Sequence, residues 1–278
     1  MAFEMFSLAA NENTDIRQEF GNNHSPPENR HRASNKILGI VFLGYLHLYG
    51  IGVEKNFQKS FQLFLNATRE GSSLAESCLG YCYSEGYGVE KDESKAFEYF
   101  RRSTEKGCIV GLYDVAYSYL KGLGTRKDEA KGFKLLLQAA GGGSLNAQNE
   151  VGICYENGSG VSKDSDRAFK WYLQSAENGC SVGSYNVGCL YYNGTGICQD
   201  KKKAFERFLR SAENDYEYGQ LDVGRSYKNG IGTRKDIIKA VYYLEKAKTK
   251  EKTETDARET LEAISDRSTS FDQTGSIL

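Results

Sequence analysis

The sequence predicts an all-α protein, a right-handed α/α solenoid of stacked helix–turn–helix hairpins. Three observations carry that expectation. A Gly-x-Gly turn recurs six times at a fixed spacing of 36 residues, as Gly50/Gly52, Gly86/Gly88, Gly122/Gly124, Gly158/Gly160, Gly194/Gly196 and Gly230/Gly232. Other positions keep that register: a small residue eight before the second glycine (Gly44, Gly80, Ala116, Gly152, Gly188, Gly224) and Asn or Asp four after it (Asn56, Asp92, Asp128, Asp164, Asp200, Asp236). Five copies also carry a tyrosine five before it (Tyr83, Tyr119, Tyr155, Tyr191, Tyr227), where the first has His47. Between the turns, apolar residues fall at helical spacing. A period of this length marks an array whose neighbours bury each other's apolar faces, growing as one continuous body.

The second copy, residues 73–108, shows how one unit is built. Its first half places Ala75, Leu79 and Cys82/Tyr83 on one side of a helix. Gly86 can take the left-handed conformation that closes a helix, and Gly88 lets the chain turn sharply. Asp92 is then a natural N-cap, because its carboxylate can accept from the free N–H groups of the next helix. That second helix presents Ala96, Phe97, Phe100 and Ser103 inward. The units run 37–72, 73–108, 109–144, 145–180, 181–216 and 217–252.

These residues resemble the Sel1-like repeat, a member of the tetratricopeptide-like group of α/α solenoids. The family pattern is met nearly whole by Leu79-Gly80, Tyr83, Gly86-Tyr87-Gly88-Val89, Asp92, Lys95-Ala96 and Gly107, and again by Gly152, Tyr155, Gly158-Ser159-Gly160-Val161, Asp164, Arg167-Ala168 and Gly179. The first copy departs most, with His47, Asn56 and Ser60 at the Tyr, Asp and Ala positions. The third ends on Gly141-Gly142-Gly143, which is expected to loosen that junction. Residues 1–13 line up with the second helix of a further, incomplete repeat, which is expected to cover the apolar first unit. Residues 14–36, with both prolines (Pro26, Pro27), read as a flexible linker. Residues 253–266 read as a capping helix with Ala257, Leu261 and Ile264 on one side, and 267–278 as a disordered tail.

Composition narrows the function. A net charge of −1 gives no electrostatic reason to expect nucleic acid or an anionic membrane. Seven cysteines, odd in number and absent from every second helix of a repeat, suit a reducing compartment and a cytoplasmic location. The charge-free run 37–53 sits on the repeat register, so it reads as a buried first helix rather than a membrane insertion. Gly-x-Gly lacks the third glycine of a dinucleotide fingerprint. Ser103-Thr104-Glu105-Lys106 matches a serine-hydrolase string, but its serine sits on an inward packing position. The three histidines offer no triad or metal site. No cofactor, metal or catalysis is expected, and a hydrolase remains a remote alternative. Arg30 to Ser34 could suit a basophilic kinase, and Ser276-Ile277-Leu278 has the form of a C-terminal ligand. Accidents of composition explain both strings better.

The resemblance implies that first helices line a concave face. Counting from the small residue, the candidate groove comprises Tyr45, Tyr49, Ser77, Tyr81, Tyr113, Tyr117, Asn149, Ile153, Tyr185, Tyr192 and Arg225. Tyrosine suits a binding surface through its large rigid ring and single polar end, although helix packing alone also accounts for Tyr45, Tyr81 and Tyr117. The expected function is a non-catalytic scaffold or adaptor that holds a protein or peptide segment there. The alternative is a regulatory segment of, or acting with, a larger signalling protein such as a kinase, because the chain opens on half a repeat.

Overall fold

The computed structural model describes the backbone of residues 27–249 and 253–274, and side chains over 35–249 and 253–265. Thirteen α-helices and no strand make up the described residues. The chain divides into two compact units between Lys163 and Asp164, inside the fourth repeat, where one continuous body was expected.

The first unit contains α1 (Pro27–Tyr49), α2 (Phe57–Arg69), α3 (Ser73–Glu85), α4 (Glu93–Glu105), α5 (Ile109–Lys121), α6 (Glu129–Gly141) and α7 (Leu145–Asn157). Here α1/α2, α3/α4 and α5/α6 pair as hairpins, each second helix packs on the next first helix, and α3 also touches α5. The second unit contains α8 (Ser165–Glu177), α9 (Ser181–Asn193), α10 (Lys201–Glu213), α11 (Glu217–Asn229), α12 (Ile237–Lys248) and α13 (Glu254–Thr274). It repeats the plan: α9/α10 and α11/α12 are hairpins, and α13 packs on both α12 and α11.

Local chemistry explains each hairpin. All six cap residues accept from the N–H three positions on, at 2.9–3.0 Å, from Asn56 receiving Lys59 to Asp236 receiving Lys239. The donor residue has a second task. Lys95 and Lys203 reach back to their cap carboxylates and also lie over Tyr83 and Tyr191, 5.6 and 5.4 Å from the ring centroids. The Asp-x-x-Lys spacing therefore joins a cap to a cation–π contact. Each of the five repeated tyrosines meets a phenylalanine of the preceding second helix edge-on, Phe61–Tyr83, Phe97–Tyr119 and Phe133–Tyr155 in the first unit, Phe169–Tyr191 and Phe205–Tyr227 in the second. Centroids are 5.1–5.7 Å apart. Between the helices of a hairpin, buried serines donate to first-helix carbonyls, as Ser60 to Gly44 (2.8 Å), Ser103 to Ser73 (2.7 Å) and Ser211 to Ser181 (2.8 Å).

Two glycines of the second repeat show why size matters. A Cβ on Gly80 would press into the Phe100 ring at the hairpin crossing. Gly88 has φ +71°, and a Cβ there would collide with the carbonyl oxygen of Phe57 at the start of α2.

Several expectations change at the ends. The helix expected over 2–13, residues 14–26 of the linker, and residues 275–278 of the tail lie outside the described residues. Helix α1 begins at Pro27, so the 27–36 part of the expected linker is helical; proline is pre-organised for a first helical position, where its missing N–H costs nothing. Helix α13 continues to Thr274, past the expected start of a disordered tail. Its Ala257, Leu261 and Ile264 pack with Leu221, Leu244 and Ala247. The Gly141–Gly143 junction closes like its neighbours: Ser144 N–H donates to Ala139 O at 3.1 Å, as Ser72 does to Ala67. No helix among the described residues is long and apolar enough to cross a membrane.

Candidate functional site

The expected groove residues separate into three groups. Tyr81 of α3 and Tyr113 and Tyr117 of α5 come together around one cleft of about 290 Å³. Tyr113 and Tyr117 stack with centroids 6.2 Å apart, one helical turn from each other. Tyr81 lies edge-on to Tyr87, which stacks on Phe57 at 4.4 Å. Burial drives the Tyr81 phenol far above its ordinary value, with Tyr49 and Tyr87 adding to the shift. The Tyr81 phenol therefore keeps its proton at any physiological pH, and the three rings form apolar walls with hydrogen-bonding hydroxyls.

Asp114 also lines this cleft, and sequence reasoning passed over it. The residue is half-buried, and its carboxylate accepts from Ser77 Oγ at 2.5 Å. Burial pushes its pKa up to about 7 against the pull of that hydrogen bond. The register position of Asp114 is occupied by Glu150 one period later and by Asp222 three periods later. Burial raises both of those carboxyls as well. An acidic residue recurring at one register was the signal available in the sequence.

A second group is structural. Ser77 and Asn149 are buried, at 2% and 5% exposure, so neither offers a surface, contrary to expectation. Tyr45 turns inward: its hydroxyl lies 2.9 Å from Cys78 Sγ, and its ring packs edge-on against Phe64. Burial, then Cys78, raises its phenol well above the usual range. Ile153 is half-buried on α7. Tyr49, stacked parallel to Tyr45 at 6.3 Å, is the exposed member of the first repeat at 39%.

The third group lies in the second unit. Tyr185 donates to Asp222 Oδ2 at 3.0 Å and packs among Phe208, Tyr216 and Tyr218. Tyr192 is exposed, with Lys201 over its ring at 5.5 Å. Arg225 is engaged: its guanidinium lies 3.7 Å from Asp222 and 3.4 Å from Asp256 of α13. Lys228 donates to the Thr260 carbonyl of the same helix at 3.2 Å. Arg225 therefore anchors α13, which corrects its place in an open groove.

No cluster of three or more His, Cys, Asp or Glu able to hold a metal occurs among the described residues. Buried thiols at Cys82 and Cys154 are pushed up to about 12 by desolvation, which leaves them poor nucleophiles.

Hairpins with shared caps, shared ring contacts and a 36-residue register define an α/α repeat protein. Its first helices carry the clustered tyrosines. The Sel1 repeat family matches residues 38–72, 74–108, 109–144, 145–180, 181–216 and 217–250, and the chain belongs to that family. A solved Sel1 repeat protein from Oxalobacter formigenes is 27% identical, with a TM-score of 0.66 over 90% of this chain and 98% of that one. A protective antigen of uropathogenic Escherichia coli is 26% identical, with a TM-score of 0.58 over 78% of this chain. This chain spans about half of that antigen, 48% of its length. An immunity protein from Pseudomonas aeruginosa shares the fold at 17% identity, with a TM-score of 0.61 over 76% of this chain and 81% of that one. None of the curated proteins matches the chain. Sel1 repeat proteins generally mediate protein–protein interaction, and their fold is typically a non-catalytic scaffold.

Proposed function

We propose that this chain is a non-catalytic scaffold or adaptor that holds an extended segment of a partner protein on the face carrying Tyr81, Tyr113 and Tyr117. The observation that supports it is the cleft itself: three tyrosines from two adjacent first helices converge on about 290 Å³ of open space. Rigid aromatic rings with one polar end are the side chains most often found as anchors of protein interfaces. Five of the seven free cysteines are buried, in keeping with a reducing, cytoplasmic setting.

Panning a random 12-residue peptide library on the full chain tests this reading. Selected peptides should lose about thirty-fold in affinity for each of Tyr81→Ala and Tyr117→Ala, with little change in melting temperature. Tyr83→Ala and Tyr119→Ala remove edge-on contacts with Phe61 and Phe97. They should cost about 2–3 kcal/mol of stability and spare affinity in the folded fraction. Peptides that bind equally well without Tyr81 and Tyr117 would put the binding surface elsewhere.

A further inference from the structure

We propose that the cleft receives a basic side chain of the docked segment, lysine or arginine, with the Asp114 carboxylate as counter-ion and the tyrosine rings as walls. This rests on the docking reading above and adds the chemistry of the guest.

Charge is the first argument. Asp114, Glu85 and Glu93 line the cleft against one cation, Lys91, and Lys91 is already paired with Glu93 at 3.5 Å. Among the described residues, the Asp114 carboxylate receives one hydrogen bond, from Ser77, and no ion pair. A half-buried carboxylate with so little compensation is costly, and an incoming cation is the partner that relieves it.

The walls are the second argument. Tyrosine faces attract cations, and this protein uses that attraction repeatedly, with Lys131 over Tyr119 at 4.1 Å and Lys239 over Tyr227 at 5.4 Å. Lys121 already lies 5.5 Å from the Tyr117 ring centroid, beside the cleft. The space is many times the ~30 Å³ share of one water, enough for an alkyl stem ending in a charge.

The third argument comes from the second unit. Asp222 occupies the register of Asp114, and Arg225 occupies that of Tyr117. There the chain supplies its own guanidinium beside the carboxylate, at 3.7 Å. In the first unit tyrosine replaces that arginine, leaving the same acidic position to be answered from outside.

Protonation gives a sign to the test. Asp114 has Ser77 from α3 and Tyr45 from α1 as close neighbours, and it shares the cleft lining with Tyr81 and Glu85 of α3, with Lys91, and with Glu93 at the start of α4. Its raised pKa of about 7 leaves the empty cleft half neutral at pH 7, whereas a bound cation needs the ionised form. Affinity should therefore rise with pH and level off near pH 8.

The experiment uses histidine-free peptides from the library selection, measured by fluorescence anisotropy against the full chain. Peptides that need Tyr117 should be enriched in Lys or Arg. Asp114→Asn should weaken them about thirty-fold or more. Between pH 8 and pH 6 affinity for the unsubstituted protein should fall about ten-fold, and the Asn variant should show no such fall. Circular dichroism confirms that the variant is folded; if it is not, the pH profile of the unsubstituted protein decides alone. Peptides that need Tyr117 but lack basic residues and ignore both Asp114→Asn and pH would overturn the inference and leave the docking reading standing. A selection in which no peptide depends on Tyr81 or Tyr117 would overturn both.

Discussion

Asp114 in the first unit and Asp222 in the second stand three periods apart at the same register of the repeat, yet their surroundings differ. Asp222 receives Tyr185 Oη and the Arg225 guanidinium, and Arg225 continues to Asp256 on the terminal helix. Asp114 receives a serine hydroxyl and opens on a cleft walled by tyrosines. The framework around the two is the same: second-helix aromatics Phe100 and Phe208 fill the gaps left by Gly80 and Gly188. One position on a constant scaffold is thus closed by an ion pair in one unit and opens on a cleft in the other. The difference lies in what the neighbouring first-helix residue brings.

The comparison would break first if the framework were not constant. Phe100→Ala and Phe208→Ala each empty a buried hairpin crossing, at 7% and 3% exposure. Each should cost about 3–5 kcal/mol in urea unfolding. A cost inside that range at one position and well below it at the other would mean that the two carboxylates do not sit on equivalent scaffolds.

The next effect is pH-dependent. Asp114 has its pKa raised by burial from 3.8 to about 7, so the fold prefers the neutral carboxyl. That preference is fully present below about pH 4 and is lost as pH rises through 7. Asp114→Asn should therefore leave stability nearly unchanged at pH 4 and raise it by about 1–2 kcal/mol at pH 8, because the residue is only half-buried. Asp222→Asn should gain less, since Tyr185 and Arg225 already favour its charge. An equal gain at both sites, read from melting temperatures across pH, would erase the contrast.

The smallest effect is expected at Arg225. Its side chain is 40% exposed, so Arg225→Ala should cost about 1 kcal/mol or less. It should also move the Asp222 carboxyl further upward in an NMR titration, toward the behaviour of Asp114. A downward shift would show that Arg225 does not compensate that carboxylate.

Most of the fold was legible because its determinants are local. Gly86 and Asp92 act through their own turn and the next few N–H groups, so their spacing alone assigns a C-cap and an N-cap. The site was legible only in part. Tyr81, Tyr113 and Tyr117 were found from register, but Asp114 was not, because a charged residue on a helix ordinarily faces water. Its environment is set by Ser77, 37 residues away on another helix, and no local pattern reports that. Ser77 was misplaced for the same reason: Asp114 of the next repeat covers it. The start of α1 at Pro27 was missed because its first turns are polar and carry no apolar stripe.

The contact of the second glycine with the preceding repeat carries a further consequence. Gly88 faces Phe57, Gly124 faces Glu93, Gly160 faces Glu129, Gly196 faces Ser165 and Gly232 faces Lys201, always 31 positions upstream. A constant offset means that recombination removing or copying one whole period regenerates the same junction from different donors. A change of any other length brings a bulky side chain to a place that admits none. Copy number is thus a heritable variable that can change in single steps, and each copy brings its own residue to the register of Asp114. The residue at that register can then change by duplication, without redesigning the core.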